Sequence, residues 1–456
     1  MIKNRNKLIS NGETENDRKA RSLALDALED ALKASDPREI IKSKIMLEGE
    51  NLLINGEIQH IASFKRILVV GAGKAVGNMA EELDRILGDR ISGGIIMIPR
   101  GLEKLNLRRV ETVETSHPFP DKKGVEGAQN IEKLVREAGI DDLIITLISG
   151  GGSSLLPLPA ENISLEEKSK VSMDLMKAGS NINELNIVRK HLSGLKGGWM
   201  AKKAHPSTLF SLILSDVVGD PLESIASGPT TPDPSTFKDA TTILKRYNVW
   251  NSSTENVRRR MISGENGDLL ETPKRDDECF NLVKNFIIGG NRDPCKAAQE
   301  KLEKQVDVHF LTSFLEGEAR HVGTFLGAMI LESKHRRSKN VRGEAYIAGG
   351  ETTVTVKGNG KGGRNMEVSL GTALKIHGVD GVALCSMGTD GIDGFTEAAG
   401  GICDGKTLLR GKKLGTSILD HLVNNDSYTY LRNLNDNIQT GPTGTNLNDI
   451  CIAVVV

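Results

Sequence analysis

The sequence predicts an α/β protein built on a mostly parallel sheet with helices on both faces, followed by a smaller second α/β domain. Three observations carry this. Short runs of continuous apolar, β-branched residues at 67–70, 94–98, 143–148 and 208–214 have the character of strands buried on both faces. Amphipathic stretches at 76–87, 122–137 and 165–178 lie between them, and such alternation marks a parallel sheet. The chain has 456 residues, more than one hydrophobic core ordinarily serves.

Each element has its own signal. Ala20, Leu23, Ala24, Ala27, Leu28, Ala31 and Leu32 recur at helical spacing within 16–33, a core-facing stripe. Ile67–Val70 runs into a glycine turn and then the helix over 76–87. Gly94–Ile98 and Leu143–Ile148 follow, separated by the helix over 122–137. Asn183–Gly198 reads as a helix ending at a glycine pair, and Thr208–Leu214 as the next strand. Residues 250–280 are polar and poor in apolar side chains, which places the domain boundary near 275 and predicts domains 1–275 and 276–456. Strands resume at Phe286–Ile288, Val306–Leu311, Ala345–Ile347, Thr352–Val356 and Val382–Ser386, with a helix from Asn365.

Composition excludes several classes. Lys and Arg number 59 against 60 Asp and Glu, and aromatics are 4%, so neither a basic stripe nor a stacking platform points to nucleic acid. No apolar run of about 18 residues suggests a membrane span. The N-terminal segment has no apolar signal core. Five scattered cysteines form no CxxC pair, which suits a reducing cytoplasm. Oligomeric state stays open, with a homodimer among the forms expected.

Five glycine-rich turns carry the candidate chemistry. In LIITLISGGGSS a strand meets Gly150, Gly151 and Gly152, whose backbone can approach a ligand, and then the hydroxyls of Ser153 and Ser154. In GAGKAVG, Gly71 and Gly73 sit between strand and helix at G-x-G-x-x-x-G spacing, a variant of the dinucleotide pattern and not a Walker loop. Lys74 there opposes the helix dipole, a placement more often functional than accidental. In LSDVVGDP, Asp216 stands at a strand end, where open α/β sheets bind ligands, while Asp220 and Asp233 read as turn or cap residues. In GGETTVTVKGNGKGGRN, Glu351 ends a strand and Arg364 enters a helix beside Gly363, which suits a phosphate or carboxylate clamp. Lys357 and Lys361 read as solvated loop lysines. In SMGTDGIDGFTEAAGG, Asp390 and Asp393 lie close enough to hold Mg²⁺ together with substrate phosphates. Arg189, His191 and Lys196 form a basic segment, and His117 reads as a turn residue before Pro118. Anion clamps, a divalent-metal holder and a carboxylate are the parts of phosphoryl transfer.

GAGKA, SHPFPD, SGGGSSLLPLP, VRKHLSGLKGG, SDVVGDPLESIASGPT, GGETTVTVKGNGKGGRN and GTDGIDGFTEAAGG together resemble the signature segments of the class II glycerate kinases, from about Arg18 to the C-terminus. The resemblance implies a Rossmann-like domain facing a smaller α/β domain across a cleft, and ATP-dependent phosphorylation of D-glycerate to 2-phosphoglycerate. Its pivotal cations fall on Lys74 and Arg364, and its acidic turns on Asp216, Asp390 and Asp393. One departure is Met366, where the family pattern has an amide; Glu367 is retained and is expected to orient Arg364.

On this reading ATP and D-glycerate are the ligands and Mg²⁺ the cofactor. Lys74, Arg364 and Asp216 are the catalytic candidates. Ser153, Ser154 and Arg189 are the substrate candidates. Gly71, Gly73, Gly150, Gly151, Gly152, Lys196, Glu351 and Gly363 are the nucleotide candidates, and Asp390 and Asp393 the metal candidates. Two rivals remain: an NADPH-dependent hydroxypyruvate reductase using GAGKAVG, with Arg100 toward a 2′-phosphate, and a non-catalytic sugar-acid binder.

Overall fold

The computed structural model describes residues 1–101, 105–336 and 342–456. Two compact units divide the chain, one of Ile40–Ile288 and one of Met1–Glu39 with Gly289–Val456.

The Ile40–Ile288 unit begins with a small antiparallel sheet of β1 (Ile45–Glu48), β2 (Asn51–Ile54) and β3 (Glu57–His60). Its signal was the Asn55-Gly56 pair, whose φ values of 52° and 81° make the turn that suits a two-residue hairpin. The main sheet contains β4 (Arg66–Ala72), β5 (Ile91–Pro99), β6 (Val110–Thr115), β7 (Asp142–Ile148), β8 (Thr208–Leu214) and β9 (Val283–Gly289), in the order β6-β5-β4-β7-β8-β9. From β6 through β8 every pairing is parallel. β4, β7 and β8 are buried almost end to end, which is why they read as unbroken apolar runs. From β4 the chain lays β5 and β6 to one side, then β7, β8 and β9 to the other. The loops after β4 and β7 therefore flank the switch point where doubly wound sheets bind ligands.

Helices Val76–Leu87, Lys122–Arg136 and Leu165–Lys177 match their predicted spans. Asp121 caps the second by accepting the Gly124 N–H at 2.8 Å, and Ser164 with Glu167 forms a capping box on the third. The helix expected over 183–198 is shorter: it runs Ile182–His191. Beyond it Ser193 Oγ and the Gly194 N–H both donate to Leu158 O, at 3.1 and 3.0 Å, which turns the chain aside.

The other unit is a mixed sheet of β10 (Asp307–Leu315), β11 (Glu344–Gly350), β12 (Val382–Gly388), β13 (Gly400–Asp404), β14 (Asn437–Ile438) and β15 (Asp449–Val455), in the order β10-β11-β15-β12-β13-β14. Only β10 and β11 pair in parallel; the rest of the ladder is antiparallel. Alternate residues of β15 face opposite cores: Ile450, Ile452 and Val454 pack with helices Glu15–Ala34 and Arg292–Leu302, and Cys451, Ala453 and Val455 with helices Ala319–Arg336 and Arg364–Lys375.

The N-terminal helix therefore belongs with the C-terminal sheet, and the chain passes between units at Ile288–Gly289 rather than near 275. Its stripe of alanines allows close packing, and a capping box of Thr14 and Asp17 starts it. Arg21 is fully buried in this packing, bonded to Asp404 at 2.6 Å, to Asp436 at 2.9 Å and to Leu8 O at 2.6 Å. The strand expected at Thr352–Val356 reduces to one bridge between Thr353 and Glu318. The Glu318 carboxylate takes the Thr355 N–H and hydroxyl at 3.1 and 2.9 Å, diverting the donor a ladder would use.

Candidate active site

The loops after β4 and β7 are zipped to each other. The Lys74 N–H donates to Gly150 O at 2.8 Å, the Ala75 N–H to Ser149 Oγ at 3.0 Å, and the Gly73 N–H to Met97 O at 3.2 Å. A Cβ on Gly71 would lie 2.4 Å from Leu147 O, and one on Gly73 would lie 2.1 Å from Ser149 Oγ. Gly71 and Gly73 thus let two loops of the protein meet. The space and the N–H groups that a pyrophosphate would need are taken by the chain itself. Arg100, the candidate for a 2′-phosphate, is paired with Asp121.

Gly151 adopts φ 82° and starts the short helix Gly152–Leu155. A Cβ there would meet His117 Nε2 at 3.0 Å and Lys74 Cγ at 3.2 Å, so this glycine lets the two side chains flank the turn. A Cβ on Gly152 would be as crowded, 2.8 Å from Ala72 O and 2.9 Å from the Ala226 Cβ. Ala226, Ser227 and Gly228 are consecutive left-handed residues, with φ 51°, 61° and 59°. Two non-glycine residues in that region cost about 1–3 kcal/mol each and are typical of functional loops. Their reward is local: Ser227 Oγ lies 2.7 Å from Ser153 Oγ and 3.2 Å from Asn186 Oδ1. Ser154 Oγ donates to Gly151 O at 3.0 Å.

A cavity of about 590 Å³ opens beside this turn. Ser153, Ser154, Arg189 and Lys196 all line it, so four residues chosen from two separate sequence segments come together. His117 and Lys168 join them. Lys196 is 1% exposed and its Nζ donates to Leu156 O at 2.7 Å; Lys168 reaches Pro157 O and Leu158 O at 3.3 and 3.1 Å. Arg189 Nε donates to Ser172 Oγ at 3.4 Å. Burial, and then Arg189, push the Lys196 pKa down to about 7. Burial followed by Lys196 and Arg189 holds Lys168 well below the usual lysine range, and burial lowers Arg189. Among the described residues no carboxylate offsets burial at any of the three. Buried charge without a counter-ion is costly, and a bound anion removes that cost. His117 is lowered by burial and by Lys74.

Asp216 stands half-buried in the loop after β8 and does not line this cavity. Asp220 has the positive φ of a turn, 55°. Asp233 accepts from Ser235 Oγ at 2.7 Å and from Lys190 at 3.3 Å, a local structural role. His191 is turned to Ile187 O and Glu271 and leaves the site.

In the other unit, Arg364 begins helix Arg364–Lys375 and is held on two sides. Its Nε and Nη2 contact the two oxygens of Asp449 at 2.5 and 3.1 Å, and its Nη1 meets Glu351 at 2.7 Å. Burial opposes the Arg364 charge, but Asp449 and Glu351 outweigh it and hold its pKa above the ordinary value. Burial raises both carboxylates. The sheet register explains the meeting, because Asp449 stands opposite Gly350 on β11 and Gly388 on β12, beside Glu351 and two residues from Asp390.

The expectations for Asp393, Gly363 and Glu367 change here. Asp393 is 2% exposed, and its two oxygens accept the N–H groups of Asn365 and Met366 at 3.1 and 2.8 Å. It caps the helix from outside, and burial lifts its pKa to about 7. A Cβ on Gly363 would come within 2.3 Å of it, so Gly363 serves that cap. The N–H groups of the loop Lys357–Lys361 donate to Asn424, Asn425 and Asp426. Glu367 pairs with Arg320 at 3.1 Å and accepts from Asn425 at 2.9 Å instead of orienting Arg364, and Met366 is buried in the adjoining core. Among the described residues no group of three or more His, Cys, Asp or Glu is arranged to hold a metal ion.

The sequence reading missed Lys168, Asp449 and the Ser227–Asn186 pair. Lys168 had a signal, since it shares helical spacing with the buried Val171 and Leu175 and so falls on the inward face. Asp449 opens the last strand after a turn-rich segment. Nothing local marked Asn186.

Two family models match the chain: a domain of unknown function, DUF4147, over residues 23–262, and the MOFRL family over residues 344–449. A D-glycerate 2-kinase of Thermotoga maritima is 40% identical over 86% of this chain and 91% of its own length. A relative in Agrobacterium vitis that bears the provisional name hydroxypyruvate reductase is 37% identical over 84% of this chain and 86% of its own length. The crystal structure of a Thermotoga maritima glycerate kinase superposes with a TM-score of 0.83 at 38% identity, covering 95% of this chain and 99% of that one.

Proposed function

This chain belongs to the class II glycerate kinase family, and from that premise we propose that it transfers the terminal phosphoryl group of ATP to D-glycerate, giving 2-phosphoglycerate. The observation that supports it most is the cavity holding Lys168, Arg189 and Lys196 with no carboxylate among them, a place for an anionic ligand. In this reading Arg189, Ser153 and Ser154 hold the acid's carboxylate. Asp216 takes the proton of the attacking hydroxyl as its oxygen bonds to phosphorus and the bond to ADP breaks. Lys74 neutralises charge that grows on the transferring group, and Arg364, held by Asp449 and Glu351, is the candidate cation of the other unit.

Mg²⁺, when bound, neutralises the donor phosphates. Asp390 is the candidate for that part, since both Asp393 oxygens serve a helix end. The reductase reading loses support because the chain fills its own GAGKAVG turn and Arg100 is paired. An assay with D-glycerate, ATP and Mg²⁺, run beside one with hydroxypyruvate and NADPH, decides between them: ADP release in the first and no NADPH oxidation in the second is expected.

Two results follow from the site. Asp390→Asn should raise the Mg²⁺ requirement, while Asp393→Asn should leave it unchanged and destabilise the fold by about 1–3 kcal/mol, the cost of stranding a buried donor. Metal titrations and thermal melts of both variants check this. The second result concerns Lys196, whose folded pKa is depressed to about 7. Its charged form disfavours the unliganded fold and favours an anion, so binding at pH 8 should take up a proton. Above pH 7 affinity should fall, by up to about tenfold per unit for one coupled proton. Calorimetry of ADP binding in buffers of different ionisation enthalpy measures the uptake, which should vanish in Lys196→Met.

A further inference from the structure

The cavity is larger than a three-carbon acid requires. At about 590 Å³ it lies within the range of about 300–1,000 Å³ that encloses a drug-sized ligand. Its lining is divided by chemistry. Cations and hydroxyls from Lys168, Arg189, Lys196, Ser153 and Ser154 occur with an apolar group of Phe119, Leu165, Met173 and Met176. Phe119, Met173 and Met176 are 67%, 40% and 49% exposed, so large apolar side chains gather at this opening. Three other cavities among the described residues each mix cations with carboxylates: Arg336 with Glu332, Lys274 with Asp276, and Lys203 with Glu132.

Both glycine turns that a nucleotide would ordinarily use present N–H groups already bonded within the protein, at Gly73–Ala75 and at Lys357–Lys361. A ligand with a planar apolar end and a polyanionic end matches what the cavity offers. Thioether and aromatic side chains suit a base, and buried cations suit phosphates.

We infer that this cavity is the nucleotide subsite, with Phe119, Met173 and Met176 against the base and Lys168 and Lys196 toward the phosphates. The inference rests on the kinase reading and adds to it the place of the donor. Lys168 becomes a phosphate-binding residue, and the apolar rim sets the preference for a nucleoside over a bare polyphosphate.

Calorimetry with ADP, tripolyphosphate and D-glycerate tests it on the full chain, and needs no turnover. Phe119→Ala and Met173→Ala replace exposed side chains and should leave the fold intact. Each should weaken ADP roughly tenfold, the loss of one apolar contact face, and leave tripolyphosphate and D-glycerate unchanged. Lys168→Met should weaken ADP and tripolyphosphate together. Loss of D-glycerate binding in the rim variants, or ADP binding equal to wild type in both, overturns the subsite. Binding of NADPH in preference to ADP overturns it as well. A protein that binds ADP as described yet transfers no phosphate to D-glycerate refutes the proposed reaction and leaves the subsite standing.

Discussion

Lys74→Ala is expected to fold as wild type and to lose about 10²–10³-fold in kcat, the scale of removing one preorganised charge contact to a transition state. The backbone N–H of this position bonds Gly150 O at 2.8 Å, and that bond between the two loops is retained in alanine. The side chain stands at the entrance of helix Val76–Leu87, against the dipole, and passes close to Gly151 and His117 at the cavity's edge. A charge kept against local preference and used mainly as phosphoryl charge develops should lower kcat and kcat/KM together. Steady-state kinetics measure both. A variant that raises only the KM for D-glycerate would make Lys74 a binding residue, and near wild-type turnover would remove it from the reaction.

Arg21→Ala should destabilise the sheet unit by about 3–5 kcal/mol, the usual result of removing one partner from a buried ion pair. Arg21 is wholly enclosed and joins the N-terminal helix to Asp404 and Asp436, which Arg410 also binds, at 3.0 and 2.7 Å. Without it, two fully buried carboxylates share a single guanidinium. Burial opposes the Asp404 charge, but Arg21 and Arg410 prevail and hold its pKa below the ordinary carboxylate value. The network's stabilisation is therefore complete above the unfolded-state pKa of about 4 and is lost as pH falls through the folded one. Urea unfolding at pH 7 should show a much lower midpoint for the variant, and the gap to wild type should narrow in acid. An unchanged midpoint would mean that the N-terminal helix is held by its alanine stripe alone.

Much of the fold was legible because burial on both faces leaves unbroken apolar runs, as in β4, β7 and β8. The boundary was less so, since the packing of Glu15–Ala34 on a sheet formed some 300 residues later leaves no local trace. The second sheet's antiparallel order was hidden for the same reason: β15, the last strand, inserts between β11 and β12. Ser153, Ser154, Arg189 and Lys196, singled out from sequence, do line one cavity. What the turns do was harder to read. Glycine marks close approach, but not whether a ligand or another loop approaches, and at Gly71, Gly73 and Gly363 it is the protein's own Leu147, Ser149 and Asp393. Asp393 looked like a metal ligand because an acid after a glycine has the same sequence signature whether it binds an ion or caps a distant helix.

The central claim is phosphoryl transfer to D-glycerate, and phosphorus NMR of the enzyme with D-glycerate, ATP and Mg²⁺ tests it most directly. A phosphomonoester resonance matching 2-phosphoglycerate should grow as ATP is converted to ADP, and should fail to grow when D-glycerate is omitted. ATP that stays intact, or that yields only inorganic phosphate at the same rate with and without D-glycerate, would contradict it.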